Sequence, residues 1–358
     1  MRGGLIVAAL VISVPAFSQG NPQFQYDLAT TYDGSVLYFS AVVSSTNPNT
    51  KIYSWSRSAG LALFGDRPDL MELPPYFGEH LYGTQITYEG SVLYHAEQLC
   101  ATGTGPGFNT CDNGQTQVVI PSLPQFTLSG FLLISPFGRY GVAVPYKSGG
   151  LWMDWFTGQQ IEVDFKGQIV PNVSPPFYVN QHAVANNGSF LITVPGAAGV
   201  RVWSPTGEIV LPTGDYLMNA SISADGSTVA LNPFDHTLGD VRSPTYVYNL
   251  AALATNPAAK PVAFPQFVSM SDDGQTVAYL AVNGRIPSNL AQAMVSHADG
   301  TGARQITNLP YGASRVLLSG DARYLFVVAY NGDNGNDGTQ IQRYELATGV
   351  VDTVPVVP

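Results

Sequence analysis

Charge is scarce in this sequence. Only 11% of its 358 residues are Asp, Glu, Lys or Arg, well below the quarter that is usual for a soluble chain. What charge there is leans acidic, with a formal net value of −10 and no basic patch. Nucleic acid is therefore excluded as an expected partner, and binding to an anionic membrane surface is disfavoured. Cysteine is nearly missing, with only Cys100 and Cys111 present, so there is no cysteine cluster to hold a metal. Catalytic signatures are also missing. There is no His-Glu-x-x-His, no Gly-x-Ser-x-Gly and no phosphate-binding loop, and the five histidines are scattered. No catalytic residue is assigned. Beyond the first segment, no uncharged apolar run is long enough to cross a bilayer as a helix.

Glycine, proline and aromatic residues are plentiful instead: 37 Gly, 26 Pro and 11% Phe, Trp and Tyr. Such a composition suits many short strands joined by turns. The clearest stretch is residues 269–282, SMSDDGQTVAYLAV. It reads as two alternating strands around Asp273-Gly274, where the turn needs a positive φ that Gly supplies without steric cost. The pattern recurs at 30–42 (TTYDGSVLYFSAV), 86–99 (ITYEGSVLYHAEQL), 134–146 (ISPFGRYGVAVPY), 184–196 (VANNGSFLITVPG), 221–232 (SISADGSTVALN) and 317–330 (LLSGDARYLFVVAY). The turn residues are Gly34, Gly90, Gly138, Gly188, Gly226, Gly274 and, in the seventh place, Ala322, at spacings of 56, 48, 50, 38, 48 and 48.

Each spacing is about one four-stranded propeller blade. The second half of a unit supplies two further strands, as in 51–64 (KIYSWSRSAGLALF), 151–163 (LWMDWFTGQQIEV), 200–212 (VRVWSPTGEIVLP) and 341–354 (IQRYELATGVVDTV). One such sheet cannot bury both faces alone, whereas seven arranged radially bury them against one another. The fold class is therefore all-β, a single seven-bladed β-propeller of four-stranded antiparallel blades over residues 19–358. The one place that allows a helical turn is 250–254. The chain begins with the innermost strand of unit one and ends with the outermost strand of unit seven, so the ring closes without an exchanged strand unless residues 21–25 add to the last blade.

Ser223-Ala224-Asp225-Gly226 and Ser271-Asp272-Asp273-Gly274 resemble the Ser-Pro-Asp-Gly turn of TolB-like and WD-type propeller repeats, and Ser135-Pro136-Phe137-Gly138 keeps part of it. The Trp-Asp pair of WD repeats is absent. TolB also carries an α/β domain before its propeller, for which this sequence shows no counterpart, so a role in the Tol system is not implied. The resemblance specifies fold and leaves function open, because such propellers host many unrelated roles.

Residues 1–18 read as a signal peptide: Arg2 precedes a short apolar run, and Ala16-Phe17-Ser18 places small residues at the cleavage positions. The mature chain, at −11 without Arg2, is expected to be exported, periplasmic or secreted, and monomeric. In an oxidising compartment Cys100 and Cys111 are expected to form a disulfide across a Gly-rich loop. The aromatics of residues 70–83 (LMELPPYFGEHLYG) read as an ordered surface loop. Residues 331–338 (NGDNGNDG) offer Asp333 and Asp337 as weak calcium ligands, because the EF-hand pattern lacks an oxygen at its third position and has Tyr344 at its twelfth. No other cofactor is expected.

Counting back from each turn Gly places a row of mostly apolar residues four positions away and a mixed row seven positions away. The second row includes Asp27, Gln181, Asn219 and Arg315, with His182 next to Gln181. These five are the candidate ligand contacts at one mouth of the axial channel. The resulting expectation is a binding or scaffolding module for a protein, peptide or glycan. The alternative is a propeller enzyme, a lactonase-like hydrolase or polysaccharide lyase, working at the same mouth.

Overall fold

The repeated turn is a small hydrogen-bonded unit, and its chemistry explains its sequence. In the computed structural model the turn Gly N–H donates to the carbonyl three residues earlier, as in Gly226 to Ser223 at 2.9 Å and Gly274 to Ser271 at 2.9 Å. The Ser hydroxyl at that earlier position donates to the turn Asp (Ser223 to Asp225, 2.6 Å; Ser271 to Asp273, 2.6 Å) and accepts the backbone N–H that reopens the hairpin (Thr228, 3.0 Å; Thr276, 2.9 Å). The Asp oxygen then accepts a second N–H, from Ser227 at 2.9 Å or Gln275 at 3.0 Å. Each hairpin therefore turns through four residues, with only the last at positive φ. The six turn glycines lie between φ +64 and +84, and Ala322, in the seventh place, has φ +56. It is the one non-glycine at positive φ among the described residues. A left-handed Ala is strained by about 1–2 kcal/mol, partly offset by the extra unfolded-state entropy a Gly brings. Ala322→Gly is accordingly expected to raise stability by roughly 0.5–1 kcal/mol, measured as a higher urea midpoint at unchanged slope.

The structure describes residues 24–44, 47–65, 76–101, 108–110, 115–121, 125–144, 150–163, 182–193, 200–211, 216–234, 244–281, 291–332 and 339–355. They form a seven-bladed propeller, with strands lettered A to D from the axis outward. Blade 1 is Phe24–Thr30, Val36–Ser44, Asn47–Ser56 and Gly60–Gly65. Blade 2 is Tyr76–Ile86, Val92–Ala101, Gln115–Val119 and Phe126–Ser129, with Phe108–Thr110 added beside its second strand. Blade 3 is Phe131–Ile134, Tyr140–Val144, Gly150–Asp154 and Gln159–Val163. In blade 4 the described part of the A position is a bridge between Val184 and Phe190, followed by Phe190–Thr193, Val200–Ser204 and Gly207–Leu211. Blade 5 is Tyr216–Ile222, Thr228–Phe234, Thr245–Asn249 and Val262–Phe264, with a short helix at Leu250–Thr255 that Asn249 caps. Blade 6 is Gln266–Met270, Thr276–Ala281, Gln292–His297 and Arg304–Gln305. Blade 7 is Ala313–Leu318, Tyr324–Tyr330, Thr339–Glu345 and Val351–Thr353.

The alternation of each strand sends every second side chain into a neighbouring blade. One apolar cluster fills each of the seven interfaces. Leu133, Val142 and Trp152 meet Val184 and Phe190 between blades 3 and 4, for example, and Leu191 and Val202 meet Ile222 and Leu231 between blades 4 and 5. The ring closes in the same way. Leu37, Phe39 and Trp55 of blade 1 pack on Phe326, Val328 and Ile341 of blade 7. Arg343, 5% exposed, rivets that interface. Its guanidinium lies over Trp55 (5.0 Å) and Tyr324 (4.8 Å), binds Asp352 at 2.6 Å and donates to the Gly34 carbonyl at 3.3 Å. Phe24 and Gln25 belong to blade 1, whose A strand pairs with its own B strand. Among the described residues no strand is exchanged between the first and last blades.

One expectation is corrected. Tyr76, Phe77 and Tyr82 do not sit in a surface loop but in the 11-residue A strand of blade 2, which pairs with strand B from Ile86↔Val92 out to Tyr76↔Cys100. Two register shifts, around Gly78 and Gly83, break the alternation that would have marked it as a strand. The leader, Cys111, Asp333 and Asp337 lie outside the described residues, as does the side chain of Cys100.

Candidate functional site

The second residue of each turn, two before the Gly, is held by its neighbours' hydrogen bonds yet has no fixed side-chain role of its own. Around the ring it is Tyr32, Tyr88, Pro136, Asn186, Ala224, Asp272 and Gly320. The structure brings all seven to the axis and ties them into a necklace. Tyr88 N–H donates to Pro136 O at 2.8 Å, Asn186 N–H to Ala224 O at 2.6 Å and Asp272 N–H to Gly320 O at 2.9 Å. Asp225 N–H donates to Asp272 O and Asp321 N–H to Tyr32 O, each at 3.0 Å. Phe137 N–H donates to the Asn186 side chain at 2.7 Å. The remaining step, from blade 1 to blade 2, is an edge-to-face contact of Tyr32 on Tyr88 at 5.1 Å.

Inside this ring one carboxylate spans the axis. Asp272 of blade 6 is only 8% exposed. One oxygen accepts the Tyr88 hydroxyl of blade 2 and the other lies 3.0 Å from His182 Nε2 of blade 4. Burial is the largest influence on Asp272 and opposes its charge. The adjacent His182 and the hydrogen bonds from His182 and Tyr88 together outweigh it, and the carboxyl sits below its ordinary range. Burial first, then the Asp272 charge and hydrogen bond, drive the Tyr88 phenol well above its usual value, so it stays a donor. Gly320 makes this geometry feasible, because a Cβ there would lie 2.6 Å from both Asp272 Oδ2 and the Tyr32 ring.

The network lies between a small cavity and an open bowl. Directly beneath the network on the strand side, among the described residues, is a cavity of about 40 Å³ bounded by Thr84, Ile86, Leu317 and Leu318, with room for no more than a few waters. On its turn side lies an open bowl of about 940 Å³. Blades 1 to 3 give the bowl an aromatic arc. Tyr32, 49% exposed, meets Tyr88, and Tyr88 meets Phe137, 60% exposed, edge-on at 4.8 Å. Blades 4 to 6 give it a polar arc of Asn186, Asn187, Asp225 and Asp273 above the buried Asp272, and Asp33 of blade 1 adds a third carboxylate to the rim. For Asp33 slight burial acts against charge, but hydrogen bonds from Ser35 and Thr31 prevail and lower its pKa.

Of the residues selected from sequence, one is described within this network. His182 joins the axial network. Asp27 and Asn219 are on A strands, but their side chains lie outside the described residues, as does all of Gln181. Arg315 is on the A strand of blade 7, opposite Val328. The second position lies in the turn itself, whereas Leu28, Thr84 and His182, six before their Gly and next to the seventh-position row, line the small cavity beneath it. The second position was missed because its neighbours define the motif and it reads as turn filler. The signal available was its diversity, from Gly and Ala to Tyr and Asp, between positions that barely change.

No protein-family model and no curated protein matches the chain. Solved structures that resemble it include hydrazine synthase from Kuenenia stuttgartiensis, at 11% identity over 95% of this chain and 99% of that one with a TM-score of 0.49. TolB from Acinetobacter baumannii is similar at 12% identity, covering 78% and 80%, with a TM-score of 0.41. Dipeptidyl peptidase 4 from Porphyromonas gingivalis is similar at 9% identity over 94% of this chain and 54% of that one, with a TM-score of 0.47. At these identities nothing of their roles carries over.

Proposed function

We propose that this propeller is an exported binding module that holds a protein, peptide or glycan in the bowl on its turn face. The observation that carries this reading is the bowl itself: about 940 Å³, centred on the axis, with the exposed rings of Tyr32 and Phe137 on one wall and amides and carboxylates on the other. Exposed aromatics are expensive to leave in water and are the usual anchors of binding surfaces. Binding is favoured over catalysis by the state of the axial groups. Both Asp272 oxygens are engaged, and the Tyr88 phenol is held protonated, so neither is poised to exchange a proton with a ligand. The hydrolase or lyase alternative rests on the same Tyr88–Asp272–His182 cluster. It requires turnover that is lost when His182 is replaced.

Export rests on the leader at residues 1–18, and the no-helix observation is compatible with it: no described helix is long and apolar enough to cross a membrane. A Cys100–Cys111 disulfide belongs to the same proposal, checked by peptide mass mapping without reduction. The binding reading is tested on arrays of peptides and glycans probed with the native chain and with Phe137→Ala. Ligands retained by the native chain are expected to lose about tenfold in affinity with the variant, the order of one anchoring aromatic. Undiminished binding would place the ligand elsewhere.

A further inference from the structure

The bowl's two walls differ in chemistry, and the difference selects among ligands. Three exposed carboxylates, Asp33, Asp225 and Asp273, rim the bowl above the buried Asp272, and among the described residues no Lys or Arg lines the cavity with them. The aromatic wall is not a flat platform. Tyr32 and Tyr88 are inclined at 69°, and Tyr88 and Phe137 at 87°. A sugar ring stacks best on a broad face, whereas a cation needs one ring face and a nearby negative charge. The protein contains this pairing elsewhere in complete form. Arg343 lies over the Trp55 and Tyr324 rings while Asp352 holds its guanidinium. The bowl presents the rings and the carboxylates of such a site without the arginine.

Resting on the binding reading above, we infer that the ligand is a peptide segment of a partner protein that inserts a cationic side chain, arginine foremost, between Phe137 or Tyr32 and the Asp225–Asp273 rim. Each of those two aspartates spends one oxygen on its own turn. The charge they carry faces the cavity. An asparagine in either place keeps the turn acceptor and removes the charge, so the turn survives the test.

The test is calorimetric titration of the purified full chain with the blocked pentapeptide Gly-Arg-Gly-Arg-Gly and its citrulline twin, which has the same shape without charge. The arginine peptide is expected to bind about tenfold more tightly than the citrulline peptide, and more weakly as sodium chloride rises from about 0.05 to 0.3 M. The double variant Asp225→Asn, Asp273→Asn should remove that preference, and Phe137→Ala should weaken both peptides. Failure of the arginine peptide to bind at millimolar concentration overturns the inference, and so does equal binding of the two peptides. If both bind equally and both are lost in Phe137→Ala, the bowl stands and only the cationic ligand falls. If arginine is preferred but Phe137→Ala changes nothing, the bowl itself is refuted. Neutral glycans captured on the arrays through Phe137, with no arginine-peptide binding, would likewise retain the bowl and dismiss the cation.

Discussion

Asp272→Ala is expected to destabilise the protein by about 3 kcal/mol, the cost of removing one partner from a buried, charge-assisted network. The substitution strands the Tyr88 hydroxyl and the His182 ring, which now meet on the carboxylate from two other blades. Water entering from the small lumen would reduce the loss, but that cavity is only about 40 Å³. Asp272→Asn separates shape from charge, since its amide can accept from Tyr88 and donate to His182; about a third of the loss is expected. The pH dependence follows from the direction of the shift. The folded-state pKa of Asp272 lies below the ordinary Asp value, near 3.9 in an unfolded chain. Its stabilisation is therefore complete above that value and disappears as the pH falls through the lower, folded-state pKa. The gap in urea midpoint between native chain and Asp272→Ala should narrow as the pH falls below about 4.

The second large effect is at the turns. Gly274→Ala is expected to cost about 3 kcal/mol or to prevent folding, combining left-handed strain with overpacking. Its φ is +64, and an added Cβ would lie 2.5 Å from Thr228 Oγ1, 2.8 Å from Thr228 Cβ and 3.1 Å from Ser223 Cβ. Thr228 is buried, and its Cβ does not move when χ1 rotates, so a change of rotamer cannot relieve the contact. Gly60 provides the control. It has a similar φ of +75 but nothing within 4 Å of an added Cβ. Gly60→Ala should show the backbone term alone, about 1–2 kcal/mol. Equal losses at the two positions, read by urea denaturation, would mean that the blade-to-blade contact at Gly274 contributes nothing.

Much of the architecture was legible because its determinants are local. A residue at positive φ flanked by Asp and an earlier Ser can be read one hairpin at a time, and Ala322 was placed correctly from its neighbours alone. The short helix after Asn249 falls where the sequence allows a helical turn, at 250–254. Blade 2 was harder. Pro74 and Pro75 suggest a loop, and Gly78 and Gly83 sit where the register slips, so the strand from Tyr76 could not be recognised by alternation. The site was least legible. Asp272 looked like one more turn residue, and its importance comes from Tyr88 and His182, 184 and 90 residues away in sequence. The converging residues stand two back from the Gly, inside the turn, and His182 stands six back from its own. Convergence of distant positions on an axis is a property of the ring, and no single repeat contains it.

The most direct measurement is site-specific photo-crosslinking from two exposed positions. Benzoylphenylalanine would replace Phe137, 60% exposed on the bowl wall, or Val210, also 60% exposed but on the outer strand of blade 4. Each form would be irradiated in the presence of envelope and extracellular material from the source cells. A discrete covalent adduct from position 137, absent from position 210 and suppressed by excess arginine pentapeptide, is the predicted result. Adducts from position 210 with none from 137 would contradict the assignment of the bowl as the binding surface.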